Sequence, residues 1–426
     1  MAHHTLKSSY TKLTERLNRF PQGAPPSEAL EKILKIIIKE KEAELISQLP
    51  IKPFTAAKAS EIWHVPLAEA QKVLDELAGR AILVDVERDG TSIYTLPPPM
   101  AGFFEFSMMR LRDDIDQKLL AELFYQYLNV EEDFIKQLFT DGETQLGRTF
   151  VHEPVLSNEN ALHVLDYERA SEVIKTASHR AVGLCYCRHK MQHMNQACDA
   201  PLDICMTFNS SAESLAKHGH AREIDISECL DLLQQAYDHN LVQFGENVRE
   251  KVNFICNCCG CCREAMLAAK RFAYLNPIHT TNFFPTIDVD KCTGCGACGE
   301  VCPVEAIALV SANDPLRPKR KIAWLEADLC LGCGICVRNC SKDALVLAER
   351  RERVITPLNS AHRAVVMALE RGKLQNLIFD NRALWSHRAL AAIFGIILKL
   401  PPIKQTLATQ QVKSHYLESL IKKFAN

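Results

Sequence analysis

The chain has 426 residues, 47% of them hydrophobic and 24% charged, with a formal net charge of −2. That length exceeds one ordinary core, so two to four domains of soluble globular composition are expected. The first twenty residues lack the apolar stretch of a signal peptide, and the longest wholly apolar run, 389–398, falls far short of the roughly 18 residues of a spanning helix.

Residues 1–27 form an N-terminal arm, and 28–99 have the pattern of a winged helix. Ser27 and Glu28 open a helix whose Leu30, Ile33, Leu34, Ile37 and Ile38 keep helical spacing. Thr55 is placed to cap a short helix ending near Trp63. Pro66 starts another carrying Val73, Leu74 and Leu77, with Gly79 at its end. Two strands, 81–88 and 91–96, meet at Asp89-Gly90, a favoured two-residue hairpin turn, and Pro97, Pro98 and Pro99 mark a boundary. The helix that would read DNA carries Glu69, Asp75 and Glu76 against Lys72, and the wing adds Asp85, Glu87 and Asp89 against Arg88. Duplex binding needs Lys and Arg on phosphates, so docking to a protein is favoured over DNA.

Residues 100–284 are predicted to be a mostly helical domain with a central cysteine-rich metal site. Ile115, Leu119, Leu120, Leu123 and Phe124 make one apolar face; Phe134, Ile135, Leu138 and Phe139 make another. Met108 and Met109 are expected to fill core. His152 and Glu153, before Pro154, are expected to be a solvated loop pair. Ten of the eighteen cysteines fall in this domain. Cys185, Cys187, Cys198 and Cys205 form one group, and Cys256, Cys258, Cys259, Cys261 and Cys262 the other. Cys229 stands alone in an apolar helical stretch, as a small buried hydrophobe. Without a signal sequence, so many thiols point to metal ligands in a reducing cytoplasm. Adjacent thiolates repel one another unless a cation neutralises them. Nine thiols can hold two iron–sulfur cubanes with one to spare, assemble a single cluster from both groups, or bind zinc. His189 and His193 are able to complete a site or to be ordinary exposed helix histidines. Arg188 is suited to bonding a sulfide or an anionic substrate, or to a structural salt bridge.

Residues 285–348 carry the most specific signal. Cys292, Cys295, Cys298 and Cys302 are spaced x2, x2, x3 and followed by Pro303. The spacing recurs 38 residues on at Cys330, Cys333, Cys336 and Cys340, followed by Ser341. This is the run that binds [4Fe–4S] cubanes, in which the fourth cysteine ligates the other run's cluster. One cluster is then expected on Cys292, Cys295, Cys298 and Cys340, the other on Cys330, Cys333, Cys336 and Cys302. Zinc on paired cysteines is disfavoured by two full runs with glycines between the thiols. Ser341, in place of the usual proline, keeps a backbone donor and adds a hydroxyl close to one cluster.

The segment resembles a bacterial-type two-cluster ferredoxin. The whole chain resembles multidomain [4Fe–4S] proteins of anaerobic bacteria that join a winged-helix-like N-terminus to Cys-x-Cys-Arg and Cys-Asn-Cys-Cys segments. Here the matching residues are Cys185, Cys187 and Arg188, and Cys256, Asn257, Cys258 and Cys259. Arg263 departs from that pattern, standing where similar strings often hold a further cysteine. The resemblance implies electron transfer in anaerobic metabolism.

Residues 349–426 are predicted to be a basic helical extension. From 354 onward the charge is +7, leaving −9 elsewhere. Such a block suits an anionic partner or membrane surface, or docks on the acidic body of its own chain. The segment 389–400 fits peripheral membrane contact less well than a helix packed on the body.

The expected fold class is therefore α+β, with a winged helix, a helical middle, a ferredoxin-like domain and a helical tail. The expected function is relay of single low-potential electrons between redox partner proteins in the cytoplasm. No Gly-x-Gly-x-x-Gly run offers a nicotinamide or flavin site. One alternative is a reductase with a substrate-binding central cluster; a second is a redox-responsive winged-helix regulator. The direction of flow and the oligomeric state are left open.

Overall fold

The structure is a computed structural model that describes residues 7–156, 164–272, 278–351, 354–380 and, singly, 391. It is mixed helix and sheet, in line with the α+β class.

The N-terminal helices lie where local chemistry puts them. The Ser27 hydroxyl accepts from the Leu30 N–H at 3.0 Å and starts Glu28–Ile37. The Thr55 hydroxyl accepts from Lys58 N–H at 3.3 Å and starts Ala56–Trp63. Leu67–Gly79 follows. Strand β1 (Phe54–Thr55) pairs with β3 (Thr91–Thr95), which pairs with β2 (Val84–Arg88) through the Asp89-Gly90 turn. The hairpin is clamped to the rest of the chain through Asp85. Its carboxylate accepts from Ser214 at 2.8 Å, Lys217 at 2.6 Å and His218 at 2.9 Å, around the end of helix Asn209–Lys217. Asp85 is 2% exposed, so it is not part of the acidic surface expected on the wing; Glu69, Asp75, Glu76, Glu87 and Asp89 remain exposed.

The expectation of a mostly helical middle needs correction. Helices Gln117–Tyr125 and Asp133–Thr140 are present. From Gly147 onward, however, the domain is organised by a six-stranded antiparallel sheet. Its strands are β4 (Gly147–Thr149), β5 (Arg180–Leu184), β6 (Asp203–Phe208), β7 (Arg222–Glu223), β8 (Val242–Glu246) and β9 (Phe254–Cys258), in the order β4-β8-β9-β6-β5-β7. One face packs Val182, Met206, Phe208 and Ile255 against Val173 and Ile174 of helix Ala170–Thr176 and against Leu233 of helix Ile226–Asp238. Cys229 is fully buried there, among apolar neighbours and away from the other thiols. The opposite face carries Val242, Phe244, Cys205 and Cys258.

His152 also departs from expectation. It is fully buried, with Nε2 3.0 Å from the Leu241 carbonyl and its ring 4.5 Å from that of Tyr237. Burial drives its pKa down to about 4. Glu153 is likewise engaged, accepting from Ser171 N–H at 2.9 Å.

The last sheets belong to the repeat. Strand β10 (Phe283–Ile287) pairs with β13 (Leu345–Glu349), and β11 (Ile307–Ser311) with β12 (Lys321–Leu325). One-turn helices Ala297–Glu300 and Ile335–Arg338 follow the two cysteine loops.

Of the basic extension, helices Ser360–Glu370 and Leu374–Ile378 pack on Ile51. Arg363 pairs with Glu246 at 2.8 Å, Arg371 donates to the Asp141, Pro21 and Leu138 carbonyls, and Lys373 donates to those of Phe20 and Pro21. These three cations dock on the chain's own body. The other basic residues of the block and the membrane-contact segment 389–400, Ala391 apart, lie outside the described residues. Among the described residues no helix is long and apolar enough to cross a membrane.

Candidate metal centres

The repeated loops are shaped by glycine. Gly294 and Gly332 have φ of 68° and 70°, and their partners Gly296 and Gly334 have 89° and 88°. A Cβ at Gly294 would stand 2.3 Å from the Lys321 carbonyl oxygen, and one at Gly332 would stand 2.1 Å from that of Phe283. Only glycine tolerates both the left-handed backbone and the strand lying across it. Backbone amides then point at sulfur. Ala306 N–H donates to Cys302 Sγ at 3.2 Å and Ala344 N–H to Cys340 Sγ at 3.3 Å; Ala323 and Gly332 donate to Cys292 and Cys330 at 3.4 Å each. Such N–H···S bonds stabilise thiolate-held clusters and raise their potential.

A small cleft is lined by Cys292, Cys295 and Cys298 of the first run and by Cys340 and Ser341 of the second. The other set lies deeper. Burial, then the neighbouring thiols of Cys333, Cys330 and Cys302, push the Cys336 thiol well above its ordinary pKa. Cys295 is exposed, whereas Cys330, Cys333 and Cys336 are buried.

The central thiols regroup in space, across the two groups seen along the chain. Cys198 leaves its sequence neighbours and joins Cys259, Cys261 and Cys262, all four sulfurs lying within 4.8 Å of one another. The Cys261–Cys262 and Cys262–Cys198 edges are 3.5 and 3.9 Å. Sulfurs around one tetrahedral ion with 2.3 Å bonds stand about 3.8 Å apart. A cubane, whose thiolates each cap a separate iron, needs the four to spread outward. Cys261 is exposed, and Cys198 and Cys259 are partly so.

The remaining five sit against the sheet. Cys256 and Cys258 are two residues apart on β9 and share a face; Cys205, on β6, stands one register step from the Met206–Ile255 pair, opposite Cys256. The Cys205 thiol is close enough to those of Cys185 and Cys256 for each to shift its ionisation, as Cys256 shifts that of Cys258. Cys187, in helix Tyr186–His193, accepts from Arg263 Nη1 at 3.4 Å.

The polar residues around this basin are not as expected. Arg188 is 1% exposed and donates to the carbonyls of Pro201 and Asn257, with no acidic partner among the described residues. His189 is buried, with Nδ1 2.7 Å from the Met108 carbonyl. His193 stacks near it, ring centres 5.0 Å apart, and joins no thiol group. Two features escaped sequence reasoning. Arg263, legible only as a missing cysteine, is buried against Cys187. Lys190 and Glu264, 0% and 1% exposed, form an ion pair joining the helix of Cys187 to helix Glu264–Arg271. Asn129 bridges that pair, accepting from Lys190 at 2.9 Å and donating to Glu264 at 2.8 Å.

The deeper ferredoxin loop and the central thiols touch. A Cβ on Gly260, within Cys259-Gly260-Cys261, would lie 2.5 Å from the carbonyl oxygen of Pro303, the residue after Cys302. Lys270 pairs with Glu305 at 2.6 Å beside this seam.

Residues 289–345 match the family model of a 4Fe-4S dicluster domain. No curated protein and no solved structure matches the chain. The matched domain and the sulfur-directed amides fit [4Fe–4S] clusters, the central thiols add further metal-binding groups, and the chain is an iron–sulfur protein with a redox function.

Proposed function

We propose that the protein relays single low-potential electrons between redox partners of anaerobic metabolism, through two ferredoxin clusters and the central thiol centres. The outer cluster is assigned to Cys292, Cys295, Cys298 and Cys340, and the inner to Cys330, Cys333, Cys336 and Cys302. Exposed Cys295 marks the outer one as the end that meets a partner. The observation that carries the proposal is the seam between Gly260 and Pro303: it joins backbone next to an inner-cluster ligand with backbone between two central thiols, leaving no room for a methyl group. Side chains and amides here hold sulfurs and exclude water; iron–sulfur chemistry supplies the one-electron change when the clusters are bound.

The N-terminal unit is assigned to protein docking in a winged-helix arrangement. The acidic residues left exposed on Leu67–Gly79 and the hairpin tip would repel phosphates, and the clamp at Asp85 holds the wing against the body.

The test is electron paramagnetic resonance (EPR) of the fully reduced chain, with Gly260→Ala as the perturbation. Spin coupling between a ferredoxin cluster and a central one, weakened in the variant while iron content is kept, is the expected result. Uncoupled ferredoxin signals in the wild type, together with central centres that never reduce, would refute the relay.

A further inference from the structure

The five-thiol basin is the part of the molecule that the compact four-sulfur group does not account for. It holds a charge problem. Arg188 and Arg263 are 1% and 7% exposed, and the Nε of each is buried without a hydrogen-bond partner. Among the described residues Arg188 donates to neutral carbonyls alone, and Arg263 donates to the Cys187 sulfur. The nearby acid, Glu105, turns its oxygens to the N–H groups of Ala101 and Gly102 at 2.8 and 3.2 Å. Two guanidiniums in a water-poor interior demand an anion of matching charge. Arg188 faces Cys185, Cys205 and Cys258 and, from the four-sulfur group, Cys259; Arg263 faces Cys256, Cys187, Cys258 and the Glu105 carboxyl.

We infer that Cys185, Cys205, Cys256 and Cys258 hold a separate iron–sulfur cubane, electrically balanced by Arg188 and Arg263. A cubane with a 2+ core in four thiolates carries a net charge of about −2, which the two arginines match. Cys187 is left outside the ligand set; it is the thiol tied to a guanidinium rather than to a neighbouring thiol. The Cys205–Cys256 cross-strand pair and the two-residue step from Cys256 to Cys258 place three ligands on one rigid sheet face, and Cys185 closes the set from the end of β5. The two adjacent guanidiniums favour the more negative, reduced cluster and raise its potential, against the lowering that burial imposes. Arg263 is a positioning residue here, acting through charge and through Cys187. This inference rests on the iron–sulfur character proposed above but not on the relay itself.

The experiment compares iron, sulfide and zinc per chain and EPR-monitored redox titrations of the full-length protein purified without oxygen. Cys205→Ser and Cys256→Ser are each expected to lose about four irons relative to wild type. The ferredoxin signals serve as the check of folding in these variants. Cys229→Ser is expected to lose none. Arg263→Gln is expected to keep the iron and to lower the midpoint of one central centre alone. Full iron and an unchanged spectrum in Cys205→Ser would overturn the inference, as would zinc in place of the missing irons or an unmoved midpoint in Arg263→Gln. The two proposals fail separately: ferredoxin and central signals that never couple in the wild type, with the four irons still lost in Cys205→Ser, would remove the relay and support this site.

Discussion

The Lys190–Glu264 pair makes a demanding test of how the central thiols are held. Replacing Glu264 with Gln keeps the shape and removes the charge, leaving an ammonium that is 0% exposed. Breaking a buried pair by losing one partner costs about 3–5 kcal/mol, because the survivor stays desolvated. The Asn129 oxygen at 2.9 Å and the Tyr125 ring at 5.5 Å still face Lys190, which places the expected loss at the low end, about 3 kcal/mol. Removing both charges in Lys190→Met/Glu264→Leu relieves that burden, so the double variant is expected to be more stable than either single one. Guanidinium unfolding under anaerobic conditions, followed by circular dichroism and by bleaching of cluster absorbance, measures both effects at matched slopes. Because the pair joins the helix of Cys187 to the one after Arg263, cluster bleaching is expected to lead the loss of helix in Glu264→Gln. Midpoints of wild type and Glu264→Gln within about 0.5 kcal/mol would refute the reasoning. So would a double variant as unstable as the sum of the singles.

Three further outcomes are expected. Burial holds His152 near 4 against its ordinary 6.5, so below pH 6.5 the unfolded chain binds a proton that the folded one refuses. Stability falls as pH drops, this residue contributing about 2 kcal/mol of loss between pH 8 and 5; His152→Phe should flatten that slope, and an unchanged slope would refute the assignment. Gly332→Ala, with its Cβ 2.1 Å from the Phe283 oxygen and a φ of 70°, should cost the inner cluster and about four irons, whereas retained iron by colorimetric assay would contradict the loop geometry. Cys198→Ser should release the metal of the four-sulfur group alone. X-ray absorption then distinguishes a single ion at this spacing from a cubane on sulfurs that spread: one zinc lost indicates the first, and about four irons lost the second; loss of neither would show that the group holds no metal.

How much was legible follows from how local each signal is. The capped helices at Glu28 and Ala56, the Asp89-Gly90 hairpin and the two ferredoxin loops depend on residues a few positions apart, and they stand where their patterns place them. The six-stranded sheet was missed because strands such as β6 carry a short continuous apolar run, Ile204-Cys205-Met206, buried residue after residue, which periodicity does not separate from a buried helix segment. Asp85 looked like a surface acid because its partners, Ser214, Lys217 and His218, lie more than a hundred residues away. The same distance hid the regrouping of the thiols: Cys198 and Cys259 belong to separate cysteine strings and meet only when β6 lies against β9. Arg263 showed in the sequence only as a missing cysteine, since its role depends on burial beside Cys187.

The carboxylate of Asp380 accepts from the backbone N–H groups of Ile51 and Lys52, at 2.7 and 2.9 Å, across more than three hundred positions of chain. During synthesis the early helices must therefore leave the ribosome with those amides still bonded to water, and wait for almost all of the polypeptide before the latch can close. A nascent chain stalled anywhere before that aspartate would present an unlatched first domain to proteases, so limited digestion of stalled chains should cut near Ile51 where the finished protein resists.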